Sequence, residues 1–206
     1  MSTPAYWQQA TQELADRDAV LKELIARFEG LALGSRGDAF STLARAIIGQ
    51  QISVKAAQSV WDRLTARLAA ITPATIRGAR KASLRACGLS GQKTAYLQDL
   101  AAKFLDGTLD AARWHALDDE ALIAELTLVK GIGRWTAEMF LIFCLTRPDV
   151  LPLADLGLQR AIRLHYNRGR PLSERRMRSI GASWAPWRSV ATWYLWRSLD
   201  PVPVEY

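Results

Sequence analysis

Residues 129–139, VKGIGRWTAEM, combine two glycines around one apolar residue, basic neighbours and the start of a new helical pattern. Gly131 is able to adopt a positive φ and close the preceding helix, Ile132 to turn inward as an apolar plug, and Gly133 to leave the backbone uncovered. A helix beginning at Gly133 points its unpaired N–H groups outward, which is an anion site. With Lys130 and Arg134 beside it, the anion it suits is a DNA phosphate, held without reading sequence. The plainer alternative is an ordinary interhelical turn with a glycine cap. Asp155, in ADLGLQRA, stands where a loop gives way to a helix. Its position alone reads first as an N-cap for a helix over 156–166, a role compatible with carboxylate chemistry.

The elements that position these groups read as helices throughout. Val20, Leu21, Leu24, Ile25 and Phe28 form one stripe within 18–30. Helix starts are marked by Ser53, Thr72-Pro73, Ser90, Asp118 and Ser173, and the spacing predicts a helix over 119–129 ahead of the glycine turn. Glycines at 30, 34, 88, 107, 131 and 169 punctuate the ends. No window alternates with period two, so the fold class is all-α. LRACGLSGQKTAYLQDLA (84–101) echoes LTLVKGIGRWTAEMFLIF (126–143): an apolar helix end, a glycine-bracketed turn, then a new helix. Two helix-hairpin-helix-like units are therefore expected, the first degenerate.

Composition bounds the partners. Half of the 206 residues are hydrophobic and 23% are charged, a soluble globular profile. The net charge of +7 favours polyanions or anionic membrane surfaces. Its cations are 21 arginines against 6 lysines, and arginine's planar fork suits phosphate. Seven of the arginines fall in 160–178, a stretch expected either to track DNA phosphates or to be a solvated face. Two cysteines, Cys87 and Cys144, exclude a disulfide framework, a zinc site or an iron–sulfur cluster, and read as small buried hydrophobes in a reducing interior. With no signal-peptide pattern and no membrane-spanning apolar run, the expected location is the cytoplasm, beside the nucleoid if the source is bacterial.

LTLVKGIGRWTAEMF followed by VLPLADLGLQRA resembles the signature of the helix-hairpin-helix base-excision DNA glycosylase superfamily: a hairpin, a loop, then an aspartate, here 24 residues from Gly131 to Asp155. AIIGQQISVKAA (46–57), GLSGQKTAYLQDLA (88–101) and WAPWRSVATWYLWRSLD (184–200) extend the likeness over roughly 35–200, toward the DNA-3-methyladenine glycosylase II branch.

The resemblance implies a hydrolase that flips an alkylated base out of duplex DNA and cleaves its N-glycosidic bond. Asp155 would be the catalytic carboxylate. Members that go on to cleave DNA carry a Schiff-base lysine at the position of Trp135, and tryptophan cannot do that chemistry, so a monofunctional enzyme leaving an abasic site is expected. The GQ-x-x-S loop brings Gln50, Gln51 and Ser53 to the DNA, with Gln51 as the wedge that fills the gap. Lys130, Gly131, Gly133, Arg134 and Thr136 would hold the backbone. Trp135 and Trp196 match base-stacking positions, suited to a cationic base by cation–π attraction, while Met139 and Leu156 replace pocket aromatics and imply a wider cavity. Trp187 and Trp193 are read as core, and His115 and His165 as non-catalytic. Ala154 stands where relatives often have an acid.

No cofactor is required by this reading. The resemblance implies a monovalent cation, Na+ or K+, on the backbone carbonyls of Thr127, Val129 and Ile132. The expected architecture is two helical lobes, 36–145 with the wedge loop and hairpin, and 1–35 plus 146–206 with Asp155, the hairpin lying at a cleft. The partner is double-stranded DNA containing damaged bases, bound by a monomer, with no membrane. The alternatives are a non-catalytic helix-hairpin-helix DNA-binding module, or a related glycosylase for oxidised or mismatched bases.

Overall fold

The structure is a computed structural model that describes residues 3–35 and 37–199. The expected lobe edge at 36 and the tail 200–206 lie outside the described residues. The described chain is all-helical. In order come α1 (Trp7–Arg17), α2 (Ala19–Arg27), α3 (Ala39–Gly49), α4 (Val54–Leu68), α5 (Pro73–Gly78), α6 (Lys81–Ala86), α7 (Gly91–Leu105), α8 (Asp119–Leu126), α9 (Arg134–Phe143), α10 (Leu156–Asn167), α11 (Glu174–Ala182) and α12 (Arg188–Leu199), with one 3-10 turn at Trp114–Ala116. No strand and no helix long and apolar enough to cross a membrane occur among the described residues.

Caps set the register of the helices. Ser53, Ser90, Asp118 and Ser173 each accept a backbone N–H of the first turn they precede, and Thr72 with Thr75 forms a reciprocal capping box ahead of Pro73. Each such cap contributes about 1 kcal/mol. One predicted element is shorter than expected: α8 ends at Leu126 rather than at 129. Successive tight bonds, Leu128 N–H to Glu125 O and Val129 N–H to Leu126 O (both 3.2 Å), coil the chain out of the α-helix there, and the Thr127 hydroxyl turns back on Ala124 O at 2.9 Å. Gly37, just before α3, takes a left-handed conformation, at φ 65°.

The described residues divide into two compact units, one of 37–140 and one of 3–35 with 141–199. In the first, Phe40, Phe104, Trp114 and Phe140 form a chain of edge-to-face rings at 5.3, 6.0 and 5.4 Å, and the Trp114 indole N–H donates to Glu125 Oε1 at 2.7 Å. In the second, Tyr6 stacks on Trp187 at 5.7 Å and Trp7 meets Trp193 edge-on at 5.2 Å. The indoles of Trp184 and Trp187 donate to Asp18 and Glu13. Trp184, Trp187 and Trp193 are buried, so much of the tryptophan-rich tail is core. Cys87 and Cys144 are buried thiols, outside any disulfide.

Candidate active site

The glycine turn lies in the first unit, and its two glycines answer different demands. Gly131 has φ 84°, and a Cβ on it would fall 2.1 Å from Cδ2 of the Tyr96 ring; both backbone and neighbour exclude a side chain there. Ile132 between them is 4% exposed, the apolar plug. At Gly133 nothing lies within 4 Å of the Cβ position. Ala137 N–H bonds to Gly133 O at 3.0 Å, so α9 begins directly behind a residue with no side chain to cap it. Lys130 is exposed, and its backbone N–H donates to Asp99 Oδ2 at 2.9 Å. Thr136 is half-buried in the first turn of α9.

Arg134, expected beside a phosphate, is exposed and also paired to two carboxylates. Its Nη1 donates to Glu120 Oε2 at 2.8 Å and its Nε to Glu138 Oε1 at 3.0 Å. These carboxylates raise its pKa above the ordinary arginine value, Glu120 foremost. Glu138 is 4% exposed; burial pushes its carboxyl up while Arg134 pulls it down. Its Oε2 is buried with no hydrogen-bond partner among the described residues.

The GQQIS loop joins α3 to α4. Gln50 is not turned outward: its Nε2 donates to Gly131 O at 2.7 Å. Gln51 is exposed and held at φ 59°, an uncommon conformation for a residue with a Cβ. Ser53 caps α4 through Ala56 N–H. Lys93, which no sequence motif marks, donates from Nζ to Ile48 O at 2.7 Å and to Gln50 O at 2.6 Å, and burial pushes its ammonium below the usual lysine value. Trp135, 39% exposed, and Met139, half-buried, sit one turn apart on α9.

Asp155 lies in the second unit, as the N-cap of α10. Its Oδ1 accepts Leu158 N–H at 2.7 Å and the Trp196 indole N–H at 2.8 Å. Trp196 is therefore an orienting donor to the carboxylate, and one of its faces is stacked on Phe143 at 5.7 Å and 15°. A Cβ on Gly157 would stand 3.1 Å from Asp155 Oδ1 and 3.4 Å from Trp196 Cδ1, so a side chain there would crowd the indole–carboxylate contact. The loop leading to Asp155 is tied to the start of α12: Arg188 Nε and Nη2 grip Asp149 at 2.6 and 2.9 Å, and Val150 N–H donates to the buried Ser189 Oγ at 2.9 Å. Leu156 is 78% exposed, and Ala154 is exposed.

Of the arginine-rich stretch, Arg160, Arg168, Arg170, Arg175, Arg176 and Arg178 are exposed, Arg178 paired to Glu174. His165 bonds Ser198 at 2.7 Å. The structure thus joins Asp155 to Trp196 and joins Gln50 to the glycine turn. Lys93, Tyr96 and Asp99 carry no local signal, because a helix face that grips a remote backbone has no local pattern, and Gly157 carries none because the ring it lies against is remote in sequence.

Residues 44–186 match the family described as HhH-GPD superfamily base excision DNA repair protein. The chain is 32% identical to DNA-3-methyladenine glycosylase 1 of Schizosaccharomyces pombe over 86% of its own length and 80% of the relative's. Among solved structures, a DNA-3-methyladenine glycosidase from Bacillus halodurans is 30% identical with a TM-score of 0.89, covering 97% of this chain and 93% of that one. The Schizosaccharomyces pombe 3-methyladenine DNA glycosylase in complex with abasic DNA is also 30% identical, with a TM-score of 0.76, covering 96% and 98%.

Proposed function

This chain belongs to the HhH-GPD superfamily of base excision DNA repair proteins, and on that footing we propose that it is a monofunctional DNA glycosylase that hydrolyses the N-glycosidic bond of alkylated, 3-methyladenine-type bases in duplex DNA. The observation that carries the reading is the carboxylate of Asp155, oriented by Leu158 N–H and the Trp196 indole at the head of α10. Relatives named for this activity match most of the chain.

The chemistry follows from charge. Breaking the bond from C1′ to the base leaves an oxocarbenium-like sugar, and an alkylated purine that starts cationic departs neutral with the bonding electron pair. An anion beside the sugar stabilises the developing positive charge and orients water. The water oxygen bonds to C1′ and its proton passes to Asp155. With Trp135 in place of an amine, no Schiff base forms and the product is an abasic site. The target nucleotide leaves the stack with Gln51 filling the gap, and the ring of Trp135 favours a cationic base. Lys130 and the open N-terminus of α9 behind Gly133 hold a backbone phosphate.

A monovalent cation on the carbonyls of Thr127, Val129 and Ile132 is part of this proposal. The Val129 carbonyl accepts Ile132 N–H at 3.0 Å and keeps a second lone pair for an ion, so the turn is compatible with it; the cation would help neutralise the phosphate. The enzyme acts as a monomer in the cytoplasm, on nucleoid DNA in a bacterium.

Incubation with methylated duplex DNA tests the reading. Free methylated bases should appear, and strand breaks only after alkali. Asp155→Asn should lower the release rate at least about a hundredfold while duplex binding persists. Binding without any base release would support the non-catalytic module instead, and breaks without alkali would overturn the monofunctional assignment.

A further inference from the structure

α7 turns three side chains, Lys93, Tyr96 and Asp99, to one face at successive turns, and each reaches the backbone of another segment. The Lys93 ammonium donates to the carbonyls of Ile48 (2.7 Å) and Gln50 (2.6 Å), at the C-terminal end of α3, where carbonyls lack helical partners. The Tyr96 ring lies against Gly131. Asp99 Oδ2 takes the backbone N–H of Lys130 at 2.9 Å. Gln50 closes the circuit by donating to Gly131 O at 2.7 Å. The GQQIS loop and the glycine turn, far apart in sequence, therefore share one support.

The strained point in this circuit is Gln51. Its φ of 59° is disfavoured for a residue with a Cβ, and such a conformation persists only where its surroundings impose it. The Gln50 carbonyl that Lys93 grips belongs to the peptide unit joining Gln50 to Gln51, so the ammonium acts directly on the plane that sets this φ. On the other side Ser53 is fixed as the cap of α4. An apolar residue at 93 would pack at no desolvation cost; a half-buried ammonium is retained where two carbonyls converge.

We infer that Lys93 is a positioning residue for base extrusion: it latches the Gln50–Gln51 peptide so that the Gln51 side chain stands ready to enter the duplex. The inference rests on the reading of Gln51 as the wedge. The latch does not touch the reacting atoms, and its loss acts on the extrusion step.

Lys93→Met keeps the side-chain stem and removes the donors. In the free protein, hydrogen exchange at 50–53 and 131–133 should quicken at least about tenfold while the core of the same unit stays protected. On a duplex with 2-aminopurine beside a methylated purine, the extrusion signal and the single-turnover release rate should fall together, by about ten- to a hundredfold. Affinity for undamaged duplex should stay within about twofold. Lys93→Arg, which keeps two donors, should recover part of both. Gln50→Leu cuts the other tie from an accessible loop and should lower the extrusion signal even if Lys93→Met fails to fold. Unchanged exchange at 50–53, or release that falls while the extrusion signal holds, overturns the inference. Wild-type protein that releases no methylated base, while Lys93→Met still loosens the loop, brings down the functional reading and leaves the latch standing.

Discussion

The turn between α6 and α7 and the turn between α8 and α9 share one outline and end in opposite ways. Gly88 and Gly131 both adopt positive φ, 97° and 84°. Leu89 and Ile132 follow, both buried. The next position separates them: Ser90 in the first turn, Gly133 in the second. Ser90 accepts Lys93 N–H at 3.1 Å, so α7 satisfies one of its own end amides. The first turn is also closed from α4, where Arg63 Nε donates to Cys87 O at 2.8 Å. Behind Gly133 there is no side chain to do this for α9. The first turn caps its own helix with Ser90; the second has no side chain at the matching position, and on the proposed function the start of α9 is where a phosphate would bind.

Breaking the conserved half of that outline should have the largest effect. Gly131→Ala meets both a left-handed backbone and the Tyr96 ring, and should lower the unfolding free energy by about 2 kcal/mol or more in urea titration. Adding Tyr96→Ala should recover the part due to the collision and leave the backbone cost. Gly88→Ala meets the terminal nitrogen of Arg63, 2.6 Å from its Cβ position, a long side chain able to move, and should cost less. Equal losses at the two glycines, unaffected by Tyr96→Ala, would show that the ring contact at Gly131 carries no energy.

The divergent position gives a sharper test with a smaller effect. Gly133→Ser places in the second turn the cap that the first already has. The protein should gain up to about 1 kcal/mol in stability and lose affinity for duplex DNA by about three- to tenfold, because the hydroxyl competes with phosphate for the same amides. Fluorescence anisotropy against salt concentration reads the second quantity. Tighter or unchanged binding would mean that the end of α9 does not meet DNA.

How far this was legible in the sequence depends on the range of the interaction. Caps are local, and Ser53, Thr72, Ser90, Asp118 and Ser173 were readable because each side chain bonds the amide three residues on. The all-helical class followed from periodicity for the same reason. Ile132 as a plug was readable from its glycine brackets. Trp196 was readable as a residue near the chemistry, but its hydrogen bond to Asp155 spans 41 residues, and a ring expected to stack on a base is also the donor that orients the carboxylate. Gln50 was expected at the DNA, but its bond to Gly131, 81 residues away, was not legible. Lys93 carries no signature at all, since nothing in GQKTAY distinguishes a lysine that grips carbonyls from one in solvent. The premature end of α8 was hidden because Thr127-Leu128-Val129 continues the apolar pattern while the hydrogen bonds tighten beneath it.

Arg134 is where charge reading and geometry diverge most, and it supports the finest test of the two turns. The first turn has glycine, Gly91, at the equivalent place; the second has an arginine already held by Glu120 and Glu138. Glu120 is well exposed, so its pair with Arg134 contributes little to stability, below about 1 kcal/mol. Its main effect is to offset a positive charge next to the start of α9. Glu120→Gln should therefore leave the urea midpoint almost unmoved while raising duplex affinity about twofold and steepening the dependence of log affinity on log salt by up to about one. Glu138, buried on the other side of the guanidinium, keeps the side chain in place and prevents a larger gain. If affinity rises without any change in the salt slope, the released charge is not meeting phosphate, and the anion site belongs to the amides of α9 and Lys130 alone.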